Sequence, residues 1–328
     1  MSTPASLHHR LTRGAAALAA AVLALGLAAC GSGEDDAVAS ETATVAPDRT
    51  VKTEFGEVTI PGSPKAALGF YTTDVDALIT LGIPLAKSQP IRGDSGYTTF
   101  PKFFPQEALA GVTPFANYPE YDYEGVLAAE PDLILNGLGY DEDTVKRLPD
   151  IAATYSYNAF DGSDWRVKFK QVATDLGREK EYQAWTDSYD AKVAEVKAKI
   201  AAAGLDPVVA PVSYWDGKVS VGCYGVPCLV FKDLGLDISP LATASADGTS
   251  LSSEELDKLQ GIDYAFESVD ITGNSTLKTE KALVDNKAFQ QVAFVKDGHI
   301  VNYEMEMDYG SPSGQLAFLD VVAKALVP

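Results

Sequence analysis

The longest periodic segment of the chain runs from Arg178 to Ala203 and separates two regions of a different character. Its apolar side chains recur at spacings of 3, 4, 4, 3 and 4 residues, on one face of an α-helix: Tyr182, Trp185, Tyr189, Val193, Val196 and Ile200. About 25 residues at roughly 1.5 Å each give a helix of ~38 Å, long enough to cross a domain. Gly204 and Pro207 end the pattern. We therefore expect one connecting helix at 178–204.

On both sides of this segment, strand-like and helix-like stretches alternate. The first region begins with a hairpin at 51–60 and continues with strands at 66–70, 83–86, 133–135 and 151–155 and helices at 73–81, 124–129 and 141–147. The second region has strands at 208–215, 218–221 and 264–266, helices at 229–234, 253–259 and 315–326, and a hairpin of 292–296 with 299–303. Such alternation is typical of α/β folds with largely parallel sheets. The sequence predicts two α/β lobes with central sheets, joined by the long helix.

The N-terminus is typical of an export signal. Arg10 and Arg13 precede an uninterrupted run of small and apolar residues, 14 long, from Gly14 to Leu27. A membrane-spanning helix needs about 20 such residues, so a signal peptide is favoured. The run ends in Leu27-Ala28-Ala29-Cys30, which is similar to a bacterial lipobox. We expect a leader at 1–29, lipidation of Cys30 and a flexible tether at 30–50; a buried helix with a chance cysteine is the alternative.

The charge balance and the scarcity of histidine exclude several classes of function. The chain has 26 Lys and Arg against 46 Asp and Glu, a net charge of −20, and nucleic acids require the opposite surplus. Two of the three histidines lie in the predicted leader, which leaves His299. A Ser-His-Asp or Cys-His catalytic site and a His-rich zinc site are therefore disfavoured. We expect no enzymatic activity, no nucleic-acid partner and no metal cofactor.

Several segments, in their order along the chain, resemble the class III solute-binding proteins of ABC importers. They are Pro64-Lys65, Asp74–Gly82, Tyr123–Leu135, Trp165–Gly177, Leu251–Leu256 and Ala293–Val301. The chain departs from the family pattern at Lys65–Leu68, where the family usually has a longer β-branched strand. The resemblance implies an N-terminal lobe at 51–177, the interlobe helix at 178–204 and a C-terminal lobe at 205–328.

In this family the ligand lies between the lobes, and open α/β sheets bind ligands beyond the carboxyl ends of their strands. The loops that follow the predicted strands are rich in aromatic and methionine side chains, suited to a bulky metal chelate. The candidate ligand-binding residues are Phe70, Tyr71, Arg92, Tyr97, Tyr118, Tyr140, Trp215, Tyr224, Met305, Met307 and Tyr309. Several could instead belong to the lobe cores. Arg92 is the polar candidate, either as a donor to a chelate's oxygens or as an ordinary exposed loop residue.

The resemblance implies a ferric siderophore as the ligand, delivered to ABC permease subunits by a monomer anchored to the outer face of the cell membrane. The acidic composition favours a neutral or cationic hydroxamate over an anionic catecholate. Haem or cobalamin binding by the same fold remains an alternative. An extracytoplasmic hydrolase or a structural lipoprotein would belong to a different class, and neither would need an aromatic cleft.

Glu124 and Glu254 match family positions at which one glutamate per lobe contacts basic pockets of the permease. Each is expected to begin a helix, where an acid also stabilises the helix dipole without any docking role.

Cys223 and Cys228 are the two cysteines left once Cys30 is lipidated. In an oxidising compartment they are expected to form a disulfide, and two buried free thiols are the alternative.

Overall fold

The computed structural model describes residues 46–327, so the predicted leader, Cys30 and most of the tether lie outside the described residues. The first strand, Arg49–Thr53, begins within the last two residues of the predicted tether. Arg49 holds the strand in place by donating from Nη1 to the backbone oxygen of Thr174, at 3.2 Å. Between residues 46 and 327, none of the helices is long and apolar enough to cross a membrane.

The elements before the long helix form the N-terminal lobe. Its strands are β1 (Arg49–Thr53), β2 (Gly56–Ile60), β3 (Ala67–Gly69), β4 (Ser88–Ile91), β5 (Thr113–Ala116), β6 (Leu133–Asn136) and β7 (Thr154–Ser156). Its helices are α1 (Thr72–Thr80), α2 (Tyr123–Ala128), α3 (Glu142–Arg147) and α4 (Trp165–Asp175). β3, β6 and β7 form a parallel sheet in the order β3-β6-β7, β4 pairs in parallel with β5, and β1 and β2 form a hairpin.

After the long helix α5 (Glu179–Ala202), the C-terminal lobe has strands β8 (Val208–Trp215), β9 (Lys218–Val221), β10 (Asp237–Ile238), β11 (Thr249–Leu251), β12 (Tyr264–Val269) and β13 (Ile300–Glu304). Its helices are α6 (Val226–Leu234), α7 (Thr276–Thr279), α8 (Lys281–Val284), α9 (Ala293–Lys296) and α10 (Pro312–Leu326). One six-stranded sheet has the order β11-β9-β8-β12-β13, with β10 added to β8. β10, β8, β12 and β13 are parallel, whereas β9 is antiparallel to both its neighbours.

The apolar stripe of α5 is buried as its periodicity predicts. Trp185, Tyr189, Val196 and Ile200 belong to the largest core, which also includes residues of both lobes. The indole of Trp185 donates to the backbone oxygen of Pro312 at 3.1 Å, and the indole of Trp165 donates to Gln315 at 2.7 Å. Both acceptors lie in the first turns of α10, so the helix pair α4–α5 is fixed to the start of the C-terminal helix.

Three predictions of secondary structure were wrong. The predicted hairpin of 292–296 with 299–303 does not form, because Ala293–Lys296 is a helical turn and β13 pairs in parallel with β12. Segment 253–259 is not an α-helix: a turn is followed by a 3₁₀ helix at Leu256–Gly261. The predicted strand at 83–86 makes only one bridge, between Ala67 and Leu85, and β4 begins after it, at Ser88. Short apolar runs carry too little periodicity to separate these cases.

Cys223 and Cys228 form a disulfide, as predicted. The bridge closes the loop between β9 and the first turn of α6. Replacing both cysteines by serine is expected to lower the free energy of unfolding by about 2 kcal/mol, the chain-entropy value for so short a loop. Denaturant unfolding of the variant and of the wild type measures the difference. Two titratable thiols in unreduced, unfolded wild-type protein would contradict the bridge.

Candidate functional site: the cleft between the lobes

The side chains that converge between the lobes all follow parallel strands. Tyr71 follows β3, Arg92 follows β4 and Tyr118 follows β5. Tyr140 and Phe160 follow β6 and β7, and the segment Met305–Tyr309 follows β13. These strands belong to three sheets, and contacts between the side chains that follow them bring the loops into one region.

Arg92 is the residue that joins the two lobes at this point. Its Nε and Nη2 donate to the two carboxylate oxygens of Asp94, the second at 2.8 Å. Its Nη1 donates to the hydroxyl of Tyr71 at 3.2 Å and to Glu306 of the C-terminal lobe at 3.4 Å. Arg92 is only 5% exposed and Glu306 only 2%. The alternative of an exposed loop arginine is therefore wrong.

Five aromatic side chains contact one another beside Arg92, and we call them the aromatic cluster: Tyr71, Tyr118, Tyr140, Phe160 and Tyr309. The ring of Tyr71 is 5.6 Å from Tyr118 and 6.1 Å from Tyr309, each edge to face. Phe160 touches Tyr71 and Tyr309 and links them to Tyr140, with centroid distances of 5.9, 6.2 and 6.0 Å. The guanidinium of Arg92 lies 4.9 Å from the Tyr118 ring and 5.3 Å from the Tyr309 ring. Tyr140 is 54% exposed, which opens the cluster to solvent.

The other predicted ligand-binding residues lie outside the aromatic cluster. Phe70 and Met307 are buried in the cores, and Met305 is half-buried beside Glu306. Trp215 is 82% exposed at the end of β8, and the hydroxyl of Tyr224 donates to the backbone oxygen of Asp247. Tyr97 is buried near Glu304 and Glu306.

The sequence did not single out Asp94, Phe160 or Glu306, although all three belong to the cleft. Glu306 lies between the two methionines that were predicted, in a 3₁₀ turn that directs the glutamate rather than Met307 toward Arg92. Its burial raises its pKa to about 7, against the lowering effect of Arg92. His299 is not part of the cleft: its ring stacks on Tyr264 at 4.1 Å, at the opposite end of β12 and β13 from Glu304.

Two buried aspartates of α1 hold the loops of the cleft in position. Asp74 accepts hydrogen bonds from the amides of Tyr71 and Gly137, each at 3.0 Å, and from the Tyr157 hydroxyl at 2.9 Å. Asp76 accepts from the amide and the hydroxyl of Ser313, both at 2.7 Å. The first carboxylate connects loops after β3, β6 and β7, and the second connects α1 to the start of α10.

Burial raises the pKa of four carboxyl groups in and around the cleft: Asp74 and Glu306 to about 7, and Asp76 and Asp308 to about 6. The folded protein therefore holds more protons than the unfolded chain between about pH 4 and pH 7, and stability falls as pH rises through this range. We expect a melting temperature roughly 5–10 °C higher at pH 5 than at pH 8. Hydrogen bonds lower the pKa values of Asp161 and Glu255 to about 2. These two carboxylates therefore make stability rise with pH, but only below about pH 4.

Thermal unfolding followed by circular dichroism at pH 5 and pH 8 measures this dependence. Asp76→Asn removes one of the four carboxyl groups with a raised pKa, so the melting temperature of this variant should depend less on pH. Asp257→Asn, a change at an exposed position, should leave this dependence unchanged. A higher melting temperature at pH 8 than at pH 5 would contradict the assignment.

The predicted docking glutamates lie on the surface, but only Glu124 is helical. Glu124 is in the first turn of α2, and Glu254 lies in the turn before the 3₁₀ helix, so the prediction that it begins an α-helix was wrong. Glu124 also lines an open depression of about 510 Å³ together with Tyr121, Asp122, Tyr123, Asp141, Asp143 and Arg147. The acidic residues of this depression outnumber its one arginine. Among residues 46–327, no group of three or more His, Cys, Asp or Glu is arranged to hold a metal ion.

Known proteins share this architecture. The chain is 27% identical to the iron(3+)-hydroxamate-binding protein FhuD of Bacillus subtilis, over 93% of this chain and 95% of that protein. It is 26% identical to the petrobactin-binding protein YclQ of the same organism, over 90% of this chain and 92% of that protein. The crystal structure of Staphylococcus aureus SirA complexed with staphyloferrin B superimposes with a TM-score of 0.66 at 21% identity, over 85% of this chain and 98% of that chain.

The family model for periplasmic binding proteins matches residues 69–306, well over half of the chain. That range contains the interlobe helix and four of the five residues of the aromatic cluster, since only Tyr309 lies beyond it. It also contains Arg92 and both of its ion-pair partners. The predicted α/β fold with two lobes is thereby confirmed. The chain belongs to the periplasmic binding protein family, a family of substrate-binding proteins.

Proposed function

We propose that this protein captures a ferric siderophore of the hydroxamate type outside the cytoplasm and passes it to an ABC permease. The observation that carries the proposal is the aromatic cluster around Arg92, built from both lobes at the carboxyl ends of their parallel strands. Aromatic walls suit the apolar periphery of a bulky chelate. The two curated relatives support iron chelates as the ligand class, since one is named for iron(3+)-hydroxamate and the other for petrobactin.

A fluorescence titration tests the proposal. Addition of a ferric trihydroxamate to the purified protein is expected to quench tyrosine and tryptophan emission, and the quenching should saturate at about one equivalent. Tyr140→Ala should weaken binding, because Tyr140 is the most exposed ring of the aromatic cluster. Tyr264→Ala should leave binding unchanged, because Tyr264 begins β12 and lies at the end of that strand away from the cleft. Failure to quench with any ferric siderophore would contradict the proposal. Trp215 and Tyr224 lie outside the aromatic cluster, and their contributions stay predictions. The same titration of proteins in which either residue is replaced by alanine tests them.

We further propose export and lipid anchoring through Cys30, supported by the leader at 1–29 and the lipobox-like residues before Cys30. Residues 30–48 would then link the anchored cysteine to β1. Labelling of cells with a palmitate analogue tests this step: incorporation is expected in the wild type and should be lost in Cys30→Ala.

Permease docking through Glu124 and Glu254 is the last part of the proposal. Both residues are exposed, one in each lobe, and no ion pair engages either carboxylate within residues 46–327. Rim charges of this kind set the register and the rate of an encounter. Glu124→Lys and Glu254→Lys should each reduce cellular chelate uptake strongly, by about tenfold or more if like charges then face basic pockets.

The matched control is Glu195→Lys, a charge reversal on the exposed face of α5. It should leave uptake unchanged, and all three variants should bind chelate normally in vitro. Wild-type uptake by the Glu124→Lys and Glu254→Lys cells, at equal surface levels of protein, would refute the docking assignment.

A further inference from the structure

The solvent-facing part of the aromatic cluster is carried by two short loops, 137–140 after β6 and 157–160 after β7, which we call the cleft loops. Tyr140 ends the first loop and Phe160 ends the second; both rings are exposed, and their centroids lie 6.0 Å apart. An antiparallel bridge and two backbone hydrogen bonds, of 2.9 and 2.8 Å, join the loops to each other. The position of this pair of loops therefore decides where both rings stand.

The hairpin of β1 and β2 reaches the cleft loops with its tip. Glu54 and Phe55 form the tip, between the last residue of β1 and the first residue of β2. The hydroxyl of Thr53 fixes the turn, since it accepts from the amide of Phe55 and donates to the backbone oxygen of Gly56, each at 3.0 Å. Arg49 holds the other end of the hairpin against the end of α4. The two tip residues are therefore presented to the cleft loops by an element that is fixed at both ends.

Glu54 contacts the second cleft loop. Its carboxylate accepts a hydrogen bond from the amide of Asn158 at 3.1 Å. The side-chain oxygen of Asn158 in turn accepts from the amide of Phe160 at 3.0 Å. Lys168 of α4 lies 3.6 Å from the same carboxylate oxygen of Glu54 and 2.9 Å from Asp161, which keeps Glu54 beside the loop. One carboxylate of the hairpin is thus connected to the backbone that carries Phe160.

Phe55 contacts the first cleft loop. A Cβ on Gly139 would lie 2.6 Å from two atoms of the Phe55 ring, so the ring packs directly on the backbone of this glycine. The next residue along the chain is Tyr140. Phe55 is 40% exposed and belongs to none of the hydrophobic cores within residues 46–327. Its ring therefore serves the contact with the loop more than it serves the packing of the lobe.

We infer that Glu54 and Phe55 are positioning residues of the proposed chelate site, and that they hold the cleft loops so that Tyr140 and Phe160 form a preformed edge for the ligand. The inference rests on the proposed function. Both residues act through the loops and not by contact with the chelate. A preformed wall binds more tightly, because its side chains and backbone need not be ordered when the ligand arrives.

Titration of the purified protein with a ferric trihydroxamate is the first test. Glu54→Ala and Phe55→Ala should each weaken the affinity about fivefold, within the range of one hydrogen bond. Glu54→Gln keeps an acceptor oxygen for the amide of Asn158 and should bind as the wild type does. Glu57→Ala is the matched control, since it removes an exposed glutamate of the same hairpin on β2, and it should leave the affinity unchanged.

Amide hydrogen exchange of the ligand-free protein, followed by mass spectrometry, gives a second readout that needs no chelate. Exchange within 157–160 should be about fivefold faster in Glu54→Ala, and exchange within 137–140 should be faster by a similar factor in Phe55→Ala. Glu54→Gln and Glu57→Ala should exchange at the wild-type rate in both loops.

The outcomes separate this inference from the proposed function. Wild-type affinity in both alanine variants, or wild-type exchange in both cleft loops, overturns the positioning role and leaves chelate binding intact. An equal loss of affinity in Glu54→Gln and Glu54→Ala overturns the role of the hydrogen bond to Asn158. Absence of chelate binding by the wild type overturns the proposed function, and the positioning role at a chelate site with it.

Discussion

Replacement of Arg92 by methionine is expected to lower the free energy of unfolding by about 3–5 kcal/mol at pH 8, the cost of leaving a buried charge without its partner. Glu306 is 2% exposed and would lose its ion-pair partner. The loss should be smaller at pH 5. Burial already raises the pKa of Glu306 to about 7 with Arg92 present, and without the arginine the carboxyl group would be protonated more readily still. Chelate binding should weaken as well, because Tyr118 and Tyr309 pack on the guanidinium.

Two further variants make this prediction specific. Arg92→Met combined with Glu306→Gln should recover much of the lost stability, since the stranded charge is then absent. Arg166→Met is the matched control. Arg166 pairs with Asp164 and Asp233, but these side chains are 25–31% exposed and the loss should be about 1 kcal/mol. Urea unfolding at pH 5 and pH 8 measures all four proteins. Wild-type stability of Arg92→Met at pH 8 would refute the interlobe role of this residue.

Gly225→Ala is expected to destabilise the C-terminal lobe by about 3 kcal/mol or more and to weaken chelate binding. Gly225 has φ +60° and ψ −143°, a region open almost only to glycine. A Cβ at this position would also lie 2.0 Å from the backbone oxygen of Asp308. Asp308 cannot move freely, because its carboxylate accepts hydrogen bonds from Ser268 and Tyr303. The segment Met305–Tyr309, with Glu306 and Tyr309, would have to shift.

Gly217→Ala separates backbone strain from this collision. Gly217 also has a positive φ, +76°, but no atom lies within 4 Å of the added Cβ. We expect a loss of about 1 kcal/mol there, with unchanged binding. If Gly225→Ala and Gly217→Ala behave alike in thermal unfolding and in chelate titration, the close approach to Asp308 has no effect.

The framework of the fold was predictable because its signals are local and repeated. The apolar stripe from Tyr182 to Ile200 recurs often enough to identify a helix without any knowledge of its partners. Tyr71 and Tyr140 also followed from one rule, since each comes after a predicted strand of the first lobe and parallel strands end at the same edge. Tyr118 follows a strand, Thr113–Ala116, that the sequence did not predict. Segments with fewer repeats, such as Ala293–Lys296, gave no comparable signal and were assigned to the wrong element.

Side-chain direction and distant pairing could not be predicted in the same way. Phe70 and Tyr71 are adjacent aromatic residues, yet Phe70 packs in the lobe core against Tyr121 while Tyr71 contacts Arg92. The partner of Arg92 in the C-terminal lobe, Glu306, is 214 residues away, and nothing in either local sequence indicates the other. The acidic lining of the cleft was therefore visible only as an excess of acid over the whole chain.

Native mass spectrometry of the purified protein is the most direct test of the central claim that the cleft binds a ferric hydroxamate. The protein would be mixed with equal amounts of a ferric trihydroxamate, a ferric tricatecholate, haem and cobalamin. We expect one adduct, with a single intact ferric trihydroxamate, and a smaller fraction of it in Arg92→Met and Tyr140→Ala. Retention of haem or cobalamin in place of the hydroxamate, or no adduct with any of the four, would contradict the claim.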